Sequence, residues 1–410
     1  MNKIKYIDLF AGAGGLSEGF YRQGYEPIAH VEFDKAACFT LKTRIAYHFL
    51  KKSNQEETYY SYLKGDLTRK ELYDSVPEGL LNSVINAEIG NDNSSIFEKI
   101  DKLTVGNNID LIIGGPPCQA YSIVGRAPLK HKTDDQRTKL YVQYGRFLKK
   151  YQPKLFVFEN VPGLLSAAGG KYFENLKKYY RRLGYELDAK LFNAYDFGVV
   201  QNRERVIIIG WKKELKLTYP KFQKEKVKYH LKDIFSDLLS IAPGETQMVQ
   251  QYAMESNTYL RKKALRNGID YVTHHITRPH NKKDLAIYKL AIEKLEDGER
   301  LKNSQIPDGM RTQKNVSSFL DRFKVVDKEP HTLIAHIAKD GHHFIHPDKK
   351  QLRSISVREA ARIQSFPDDY YFEGVKESQP RTAAFRQIGN AVPPLLADKI
   401  AKAIKQECLL

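Results

Sequence analysis

One cysteine stands in a rigid turn at a position that suits chemistry. The turn, Gly114 to Ser122 (Gly-Gly-Pro-Pro-Cys-Gln-Ala-Tyr-Ser), follows the apolar run Ile109 to Ile113, which is typical of a buried strand. Two glycines and two prolines enforce a tight turn, so Cys118 is expected at the carboxyl edge of a parallel sheet, where α/β proteins bind ligands. A cysteine displayed there is a candidate nucleophile; the alternative is an incidental thiol in a structural loop.

A carboxylate and two arginines occupy comparable places further along the chain. The strand predicted at Leu155 to Phe158 ends in Glu159, and Arg203 and Arg205 lead into the apolar run Val206 to Gly210. A thiolate adds readily to an electron-poor double bond, a neighbouring carboxylic acid can protonate a ring nitrogen, and an arginine can hold a carbonyl oxygen. Together these groups suit covalent activation of a pyrimidine ring by addition at C6, which makes C5 nucleophilic.

A glycine-rich turn near the N-terminus is a candidate nucleotide site. The strand Ile4 to Phe10 runs into Ala11 to Gly15 and a helix predicted over Leu16 to Gln23, and glycines let a ligand approach the positive end of such a helix. Glu32 ends the next strand, Pro27 to Phe33, where its carboxylate can accept hydrogen bonds from ribose hydroxyls. The alternatives are a plain tight turn and a solvated glutamate, because the spacing is neither a Walker A loop nor a clean G-x-G-x-x-G.

These groups all border strands of one predicted sheet. The repeated order of strand, turn and helix, continued by helices predicted at 137–150 and 170–182, predicts an α/β fold with a doubly wound, mostly parallel sheet. Lys64 to Leu67 is expected to be a short strand end carrying the acid Asp66. The Asn-rich piece Asn86 to Ser95 is expected to be an exposed insertion.

The chain changes character near Trp211. Lys212 to about Lys328 is basic and rich in tyrosine, without repeated βα units, and is predicted to be a separate domain. Order returns with the capping box of Ser356 and Glu359, in which the glutamate is expected to be a plain helix cap. Histidines cluster in this part of the chain but lack cysteine partners or an H-E-x-x-H helix, so no metal site is predicted.

Composition narrows the class of protein. The 410 residues are 41% hydrophobic and 28% charged, which is typical of a soluble globular protein with more than one domain. The net charge of +17 favours a polyanionic partner such as nucleic acid; the alternative is a basic but unspecialised surface. Three cysteines without metal-ligand spacing and no secretory signal indicate an intracellular setting. No apolar run approaches the ~20 residues that span a bilayer.

Six motifs, in order, resemble those of the cytosine-C5 DNA methyltransferases of bacterial restriction-modification systems. They are Asp8-Leu9-Phe10-Ala11-Gly12-x-Gly14-Gly15, Pro116-Pro117-Cys118-Gln119, Glu159-Asn160-Val161, Gln201-x-Arg203-x-Arg205, Arg358-Glu359-x-Ala361-Arg362-x-Gln364-x-Phe366-Pro367 and Gln387-x-Gly389-Asn390-Ala391-Val392-Pro393-Pro394. One such motif is weak, whereas six in this order are specific. The resemblance implies a methyltransferase fold of Rossmann-like type with S-adenosyl-L-methionine as cofactor.

The same resemblance implies roles for individual residues. Cys118 is similar to the thiolate that attacks cytosine C6, and Glu159 to the acid that contacts N3 and the exocyclic amine. Arg205 is similar to the residue that holds the cytosine O2, with Arg203 supporting it. The cofactor site is implied to comprise Phe10, Ala11, Gly12, Gly14, Gly15, Leu16, Glu32, Phe33, Asp66, Leu67, Pro116, Leu140, Asn390 and Ala391. Substrate contacts are implied for Gln119, Ser122 and Arg137.

Within that set, the resemblance gives each cofactor contact a part of the ligand. Phe10 is similar to the residue packed on the adenine, Glu32 to the residue that binds the ribose, and Asp66 to the residue at the adenine amino group. Asn390 is similar to a residue near the methionine part. Phe33 stands where family members often have tryptophan.

The resemblance also implies the organisation of the chain and its partners. Residues 1–214 and 378–410 are expected to form a discontinuous catalytic domain, and residues 215–377 a target-recognition domain and hinge that reads double-stranded DNA through the major groove. The target base is expected to be flipped out of the duplex. A monomeric modification enzyme is expected in the bacterial cytoplasm, associated with the nucleoid, with a cognate restriction endonuclease as a candidate partner. The alternatives are an orphan DNA methyltransferase, a tRNA cytosine-C5 methyltransferase, a non-catalytic DNA-binding protein and a nicotinamide dehydrogenase.

Overall fold

A seven-stranded sheet forms the centre of the catalytic part of the molecule. The computed structural model describes residues 3–106, 108–117, 140–225, 229–311 and 321–409. The strands of the sheet are β1 Lys5–Leu9, β2 Glu26–Glu32, β3 Val84–Asn86, β4 Leu111–Gly114, β5 Leu155–Asn160, β6 Tyr185–Asn193 and β7 Glu204–Lys212. Their order across the sheet is β3-β2-β1-β4-β5-β7-β6.

The strands are parallel except for β7, which runs antiparallel to both β5 and β6. In the central register, Asp8 of β1 lies between His30 of β2 and Ile113 of β4. The predicted doubly wound, mostly parallel sheet is therefore confirmed. The carboxyl ends of β1, β2, β4 and β5 meet at one edge, and the reversed strand β7 brings its first residues to that same edge.

Helices cover both faces of the sheet and continue into the second half of the chain. They are α1 Gly15–Arg22, α2 Lys35–Lys52, α3 Glu56–Lys64, α4 Arg69–Asp74, α5 Glu78–Leu81, α6 Ser94–Leu103, α7 Leu140–Tyr151, α8 Gly163–Ser166, α9 Lys171–Arg182, α10 Leu231–Phe235, α11 Thr258–Lys262, α12 Lys282–Glu296, α13 Val357–Ile363, α14 Arg381–Asn390 and α15 Pro394–Ile404. Short 3₁₀ turns occur at Ala167–Gly170, Ala194–Asp196, Lys213–Leu215, Asn303–Gln305, Asp308–Met310 and Ala335–Ala338, and a π-helical turn at Lys405–Leu409. Among the residues described, no helix is long and apolar enough to cross a membrane.

Successive side chains of a strand point to opposite faces of the sheet, so β1 contributes to an apolar core on each face. Ile7 and Leu9 face one apolar layer, which includes Phe156 and the helices α7 and α9. Tyr6 faces the other layer, with α1 and α15. Helix α15 packs closely on α1, since a Cβ on Gly19 would lie 2.4 Å from the Cβ of Ala397. The C-terminal helix therefore lies directly beside the helix that follows the glycine-rich turn.

The part of the chain after β7 builds its own apolar cluster around α13. An antiparallel hairpin, β8 Val249–Gln251 and β9 Tyr271–Thr273, lies in this part. Residues of α10, α11 and α13 pack with Phe372 and with Phe385 of α14 in one buried cluster. Ser356 and Glu359 form the predicted capping box at the start of α13. The domain boundaries at 214/215 and 377/378 stay a prediction.

The structure corrects two expectations about residues 51–108. Asp66 does not end a strand: α3 ends at Lys64, Gly65 takes the left-handed conformation that closes the helix, and the chain continues into α4. The third strand is instead β3, and residues 86–95 run from its last residue into α6. That segment buries Ile89 and Asn93, so it is not simply an exposed insertion.

Candidate active site

Glu159 and Arg205 form an ion pair at the carboxyl edge of the sheet. Arg205 Nε lies 2.8 Å from Glu159 Oε1, and each side chain is 11% exposed. The contact follows from topology. Because β7 runs antiparallel to β5, the end of β5 faces the start of β7, with Glu159 opposite Ile207. Two residues that the sequence separates by more than forty positions are thereby brought together as predicted, in a shielded position open to a ligand on one side.

The turn that leads to Cys118 starts against this ion pair. A Cβ on Gly115 would lie 2.7 Å from Glu159 Oε2, so only glycine leaves the carboxylate in place. Asn160 Nδ2 donates a hydrogen bond of 3.1 Å to the Pro116 carbonyl oxygen. The end of β5 thus holds the beginning of the cysteine turn. Cys118 itself lies outside the described residues, as do the other predicted residues Gln119, Ser122 and Arg137.

The glycine-rich turn wraps around the Glu32 carboxylate. Gly12 N–H donates to Glu32 Oε2 at 2.8 Å, and Asp34 N–H donates to Oε1 at 2.8 Å. Phe10 and Gly12 both have positive φ, of 57° and 56°, which curls the backbone tightly over the end of β1. Burial raises the pKa of Glu32, while these two backbone donors oppose the shift. Predicted cofactor residues from β1 and β2 therefore converge.

Asp8 is a buried acid in the first of the six motifs, and the sequence predicts no role for it. It is 1% exposed, and neither carboxylate oxygen has a hydrogen-bond partner among the described residues. Burial, and then the charge of Glu32, raise the pKa of Asp8 well above its usual value. An unpartnered buried acid beside a ligand turn is costly unless a ligand supplies a partner. Its signal in the sequence is an acidic residue inside an apolar strand, directly before the glycine turn.

Asn86 at the end of β3 is a second residue without a predicted role. Its side-chain amide donates to the carbonyl oxygens of Glu32 at 3.1 Å and Phe33 at 2.9 Å. The bend that follows β2 is thereby fixed, and the Phe33 ring is left 63% exposed on the rim. An exposed ring held by a fixed bend is available to cover a flat ligand.

The turn after α14 closes the other side of the glycine-rich turn. A Cβ on Gly15 would lie 2.2 Å from the Val392 carbonyl oxygen, which shows how closely the two backbones approach. Asn390 is exposed at the end of α14, and Ala391 is buried beside it. Gln364 Nε2 donates to the Ala391 carbonyl oxygen at 2.6 Å, which ties α13 to this turn.

Arg203 supports this second turn from the interior. Its guanidinium donates to the carbonyl oxygens of Leu333 at 2.6 Å, Gly389 at 3.3 Å and Ala391 at 2.9 Å, and the side chain is almost fully buried. The two arginines of the Gln-x-Arg-x-Arg motif thus have different surroundings. Arg205 contacts the Glu159 carboxylate, whereas Arg203 contacts backbone.

Three predicted cofactor residues are not brought to the glycine-rich turn by described contacts. Asp66 and Leu67 lie in the link between α3 and α4, where Leu67 packs in an apolar cluster with Tyr271 of β9. Ala11, by contrast, packs with Val84 of β3. The prediction of a short strand end at Asp66 is wrong, because the residue follows α3 and the strand that pairs with β2 is β3. Leu140 is the half-buried first residue of α7, directly after the undescribed segment 118–139.

In the described ranges, no group of three or more His, Cys, Asp or Glu side chains could hold a metal ion. The clustered histidines lie among protein partners instead. For example, His274 Nε2 lies 2.9 Å from the Phe372 carbonyl oxygen and His275 Nδ1 lies 2.9 Å from Ser356 Oγ.

The fold and this edge of the sheet are those of a methyltransferase. The chain shares its fold with an E. coli prophage protein assigned as a DNA modification methyltransferase (TM-score 0.65, 24% identity, 99% of each chain covered). It also shares it with the Entamoeba histolytica methyltransferase EhMeth (TM-score 0.56, 14% identity, 99% of each chain covered).

Residues 4–67 and 83–406 match the model of the C-5 cytosine-specific DNA methylases, and the chain belongs to that family. It is 40% identical to the type II methyltransferase M.Bpa9945I of Bacillus paralicheniformis, over 97% of this chain and 98% of the relative. It is 30% identical to the type II methyltransferase M.AgeI of Thalassovita gelatinovora, over 98% and 99% of the two chains. The protein is a DNA (cytosine-5-)-methyltransferase of the restriction-modification type, and its family and fold imply chemistry that depends on S-adenosylmethionine.

Proposed function

We propose that the enzyme methylates C5 of a flipped-out cytosine through a covalent bond between Cys118 and C6 of the base. The Sγ–C6 bond forms as the C5–C6 double bond opens, and C5 becomes nucleophilic. After C5 has taken the methyl group, loss of the C5 proton restores the double bond and expels the Cys118 thiolate. The observation that carries this proposal is the Glu159–Arg205 pair beside the start of the cysteine turn.

Glu159 and Arg205 are suited to the ring that this addition creates. Addition at C6 pushes electron density toward N3 and O2 of the cytosine. A carboxylic acid at N3 supplies a proton there, and a guanidinium at O2 stabilises the developing negative charge. Their mutual contact at 2.8 Å keeps both groups oriented before the base arrives. Arg203 acts as a positioning residue, since its donors hold the turn at Gly389 and Ala391.

The residues around the glycine-rich turn fit S-adenosyl-L-methionine. This cofactor carries positive charge on its sulfonium and its amino group, and when bound it supplies the electrophilic methyl group. The unpartnered Asp8 carboxyl leaves hydrogen-bonding capacity for a polar group of the ligand. We propose that Glu32 holds the ribose, that the Phe10 and Phe33 rings pack on the adenine, and that Asn390 lies near the methionine part. Further contacts are proposed for Ala11, Gly12, Gly14, Gly15, Leu16, Pro116, Leu140 and Ala391.

Double-stranded DNA is the substrate, and we propose that residues 215–377 read its sequence. The net charge of +17 supports contact with phosphates, and the type II relatives support a role as the modification enzyme of a restriction-modification system. We further propose that the enzyme acts as a monomer on nucleoid DNA in the cytoplasm, and that a cognate restriction endonuclease acts on the same site.

Replacing Cys118 tests the mechanism directly. Cys118→Ser should abolish transfer of labelled methyl groups to DNA, while Cys408→Ser, which changes a half-buried thiol in the C-terminal turn, should keep full transfer. With S-adenosylmethionine present, DNA carrying 5-fluorocytosine should trap a denaturant-resistant adduct with wild-type protein. In that base, C5 bears fluorine in place of the proton whose loss would release Cys118. Full transfer by Cys118→Ser, or no adduct with wild-type protein that is active on normal DNA, would refute the covalent route. Bisulfite sequencing of DNA from a host that expresses the protein identifies the methylated site.

A further inference from the structure

Helices α3 and α4 belong to a stretch of chain whose role the motifs leave open. The family match breaks at residues 68–82, so α4 lies outside the part of the chain that matches the family model. We propose that α3 and α4 form a brace that positions the target-recognition region over the catalytic sheet, and that the brace sets how strictly the enzyme discriminates its DNA site. This inference rests on the recognition role proposed for residues 215–377.

The brace holds the segment 366–377, called the strap here, which links α13 to α14. Tyr59 Oη donates to the Asp369 carbonyl oxygen at 2.7 Å, and Tyr62 Oη donates to Glu373 Oε1 at 2.5 Å. Both tyrosines are buried, so these bonds are shielded from water. Helix α3 therefore fixes the strap at two points about one helical turn apart.

Arg69 of α4 adds a third attachment to the strap. Its guanidinium donates to the carbonyl oxygens of Gly374 at 2.9 Å and Val375 at 3.2 Å, and pairs with Glu373 at 3.3 Å. The same guanidinium lies 3.7 Å from the centre of the Phe39 ring on α2. Arg69 thus ties the strap to a helix of the catalytic part, and only 12% of its side chain is exposed.

The other side of α3 holds the hairpin of the proposed recognition region. Tyr271 Oη, in β9, donates to the Tyr60 carbonyl oxygen at 3.2 Å, and Lys64 Nζ lies 5.3 Å from the centre of the Tyr271 ring. Ile269 and Tyr271 share an apolar cluster with Leu63 of α3 and Leu72 of α4. These contacts therefore fix the position of the hairpin relative to α3, and through α3 relative to the catalytic sheet.

Positioning and simple stabilisation make different predictions. A brace that only stabilises the fold lowers the fraction of active enzyme, and so lowers methylation of every DNA site by the same factor. A brace that positions the recognition region limits how far that region can tilt. Loosening the brace then lets near-cognate DNA fit, and changes the ratio of kcat/KM between the cognate site and a site with one wrong base pair.

Two variants loosen the brace, and each has a matched control. Arg69→Gln removes a cation that contacts the strap, whereas Lys70→Gln removes the neighbouring cation, which is exposed and pairs only within α4 with Asp74. Tyr271→Phe removes the hydroxyl that contacts α3, whereas Tyr151→Phe removes a hydroxyl that donates from α7 to Asp101 of α6, away from the brace.

The measurement is kcat/KM on duplexes that carry the methylation site, or one substitution in it, together with thermal melting of each protein. Arg69→Gln and Tyr271→Phe should each lower the discrimination ratio about fivefold, the scale of one net hydrogen bond. Lys70→Gln and Tyr151→Phe should leave the ratio within about twofold of wild type, whatever they do to the melting temperature. Ratios for Arg69→Gln and Tyr271→Phe equal to those of their controls would overturn the brace alone. A wild-type enzyme that methylates both duplexes equally would overturn the recognition role of residues 215–377 as well.

Discussion

Replacing each arginine of the Gln-x-Arg-x-Arg motif by lysine separates positioning from chemistry. The Arg203 guanidinium donates to the backbone carbonyls of Leu333, Gly389 and Ala391 from a buried position. A lysine ammonium is a single point of charge on a flexible stem and cannot span the same three acceptors. Arg203→Lys therefore frees the turn after α14, which packs against the glycine-rich turn, although the substitution conserves the charge.

The size of the effect follows from those contacts. A hydrogen bond from a charged donor contributes about 1.5–3 kcal/mol, so loss of two of the three bonds lowers the free energy of unfolding by about 3–6 kcal/mol. At about 2 °C per kcal/mol, the melting temperature should fall by roughly 6–12 °C. The affinity for S-adenosylmethionine should fall as well, because the freed turn borders the site proposed for it.

Arg205→Lys is the matched comparison. The Arg205 side chain is 11% exposed at the rim of the cleft, and its ion pair with Glu159 can be kept in part by an ammonium. We expect a smaller fall in melting temperature than for Arg203→Lys, because the ammonium keeps a positive charge opposite Glu159 and no buried backbone carbonyl loses its donor. The value of kcat should nevertheless fall about 100-fold, because the planar donor for the cytosine O2 is lost.

Thermal melting, calorimetric titration with S-adenosylmethionine and single-turnover methyl transfer test both variants. The two variants should fail in different measurements. Arg203→Lys should be less stable and bind the cofactor more weakly, whereas Arg205→Lys should stay stable but transfer methyl groups slowly. If Arg203→Lys melts like the wild type and is only slow, the assignment of Arg203 to positioning is refuted.

Two further predictions concern the glycine-rich turn and acid stability. Gly15→Ala should weaken cofactor binding at least tenfold, because its Cβ would lie 2.2 Å from the Val392 carbonyl oxygen. Gly184→Ala is the control, because its Cβ lies outside the glycine-rich turn, meets no atom within 4 Å and adds only left-handed strain of about 1–2 kcal/mol. Equal calorimetric affinities for the two variants would contradict this. Burial lowers the pKa of His30 to about 4 and of His274 to about 3. Between about pH 6.5 and those values, the unfolded chain binds protons that the native chain does not. The free energy of unfolding therefore falls by about 1.4 kcal/mol per pH unit for each group as the pH is lowered through that range. Melting followed by circular dichroism at pH 5 and 7.5 checks this, and a melting temperature that does not fall at pH 5 would contradict it.

The sequence predicts those parts of the site that depend on strand ends. Glu159 follows an apolar run and Arg205 precedes one, and both patterns are strong because β5 is buried along its length and β7 is buried from Val206 to Trp211. The glycine-rich turn and Glu32 are predicted for the same reason. Local chemistry therefore suffices wherever a long buried strand delivers a side chain to the edge of the sheet.

The parts that the sequence does not predict depend on weak or distant signals. Strand β3 has only three residues, which is too short for a recognisable period, and the short strand end predicted at Lys64 to Leu67 is not a strand. The segment around Gly65 has the composition of a turn, but composition does not say whether a helix or a strand precedes it. The partners of Arg203 lie about 130 and 190 positions further along the chain, and no local pattern can indicate such contacts.

The reversed strand β7 explains how one edge of the sheet gathers both the acid and the arginine. In a sheet of parallel strands only carboxyl ends meet at the ligand edge, so a residue at the start of a strand would lie at the opposite edge. Because β7 is antiparallel to β5, its first residues face Asn160 and the end of β5, and Arg205 reaches Glu159. The same reversal puts Arg203, two residues earlier, beyond the edge and under the turn at Ala391. One change of strand direction thus supplies both the group that contacts the proposed base and the group that holds the wall of the proposed cofactor site.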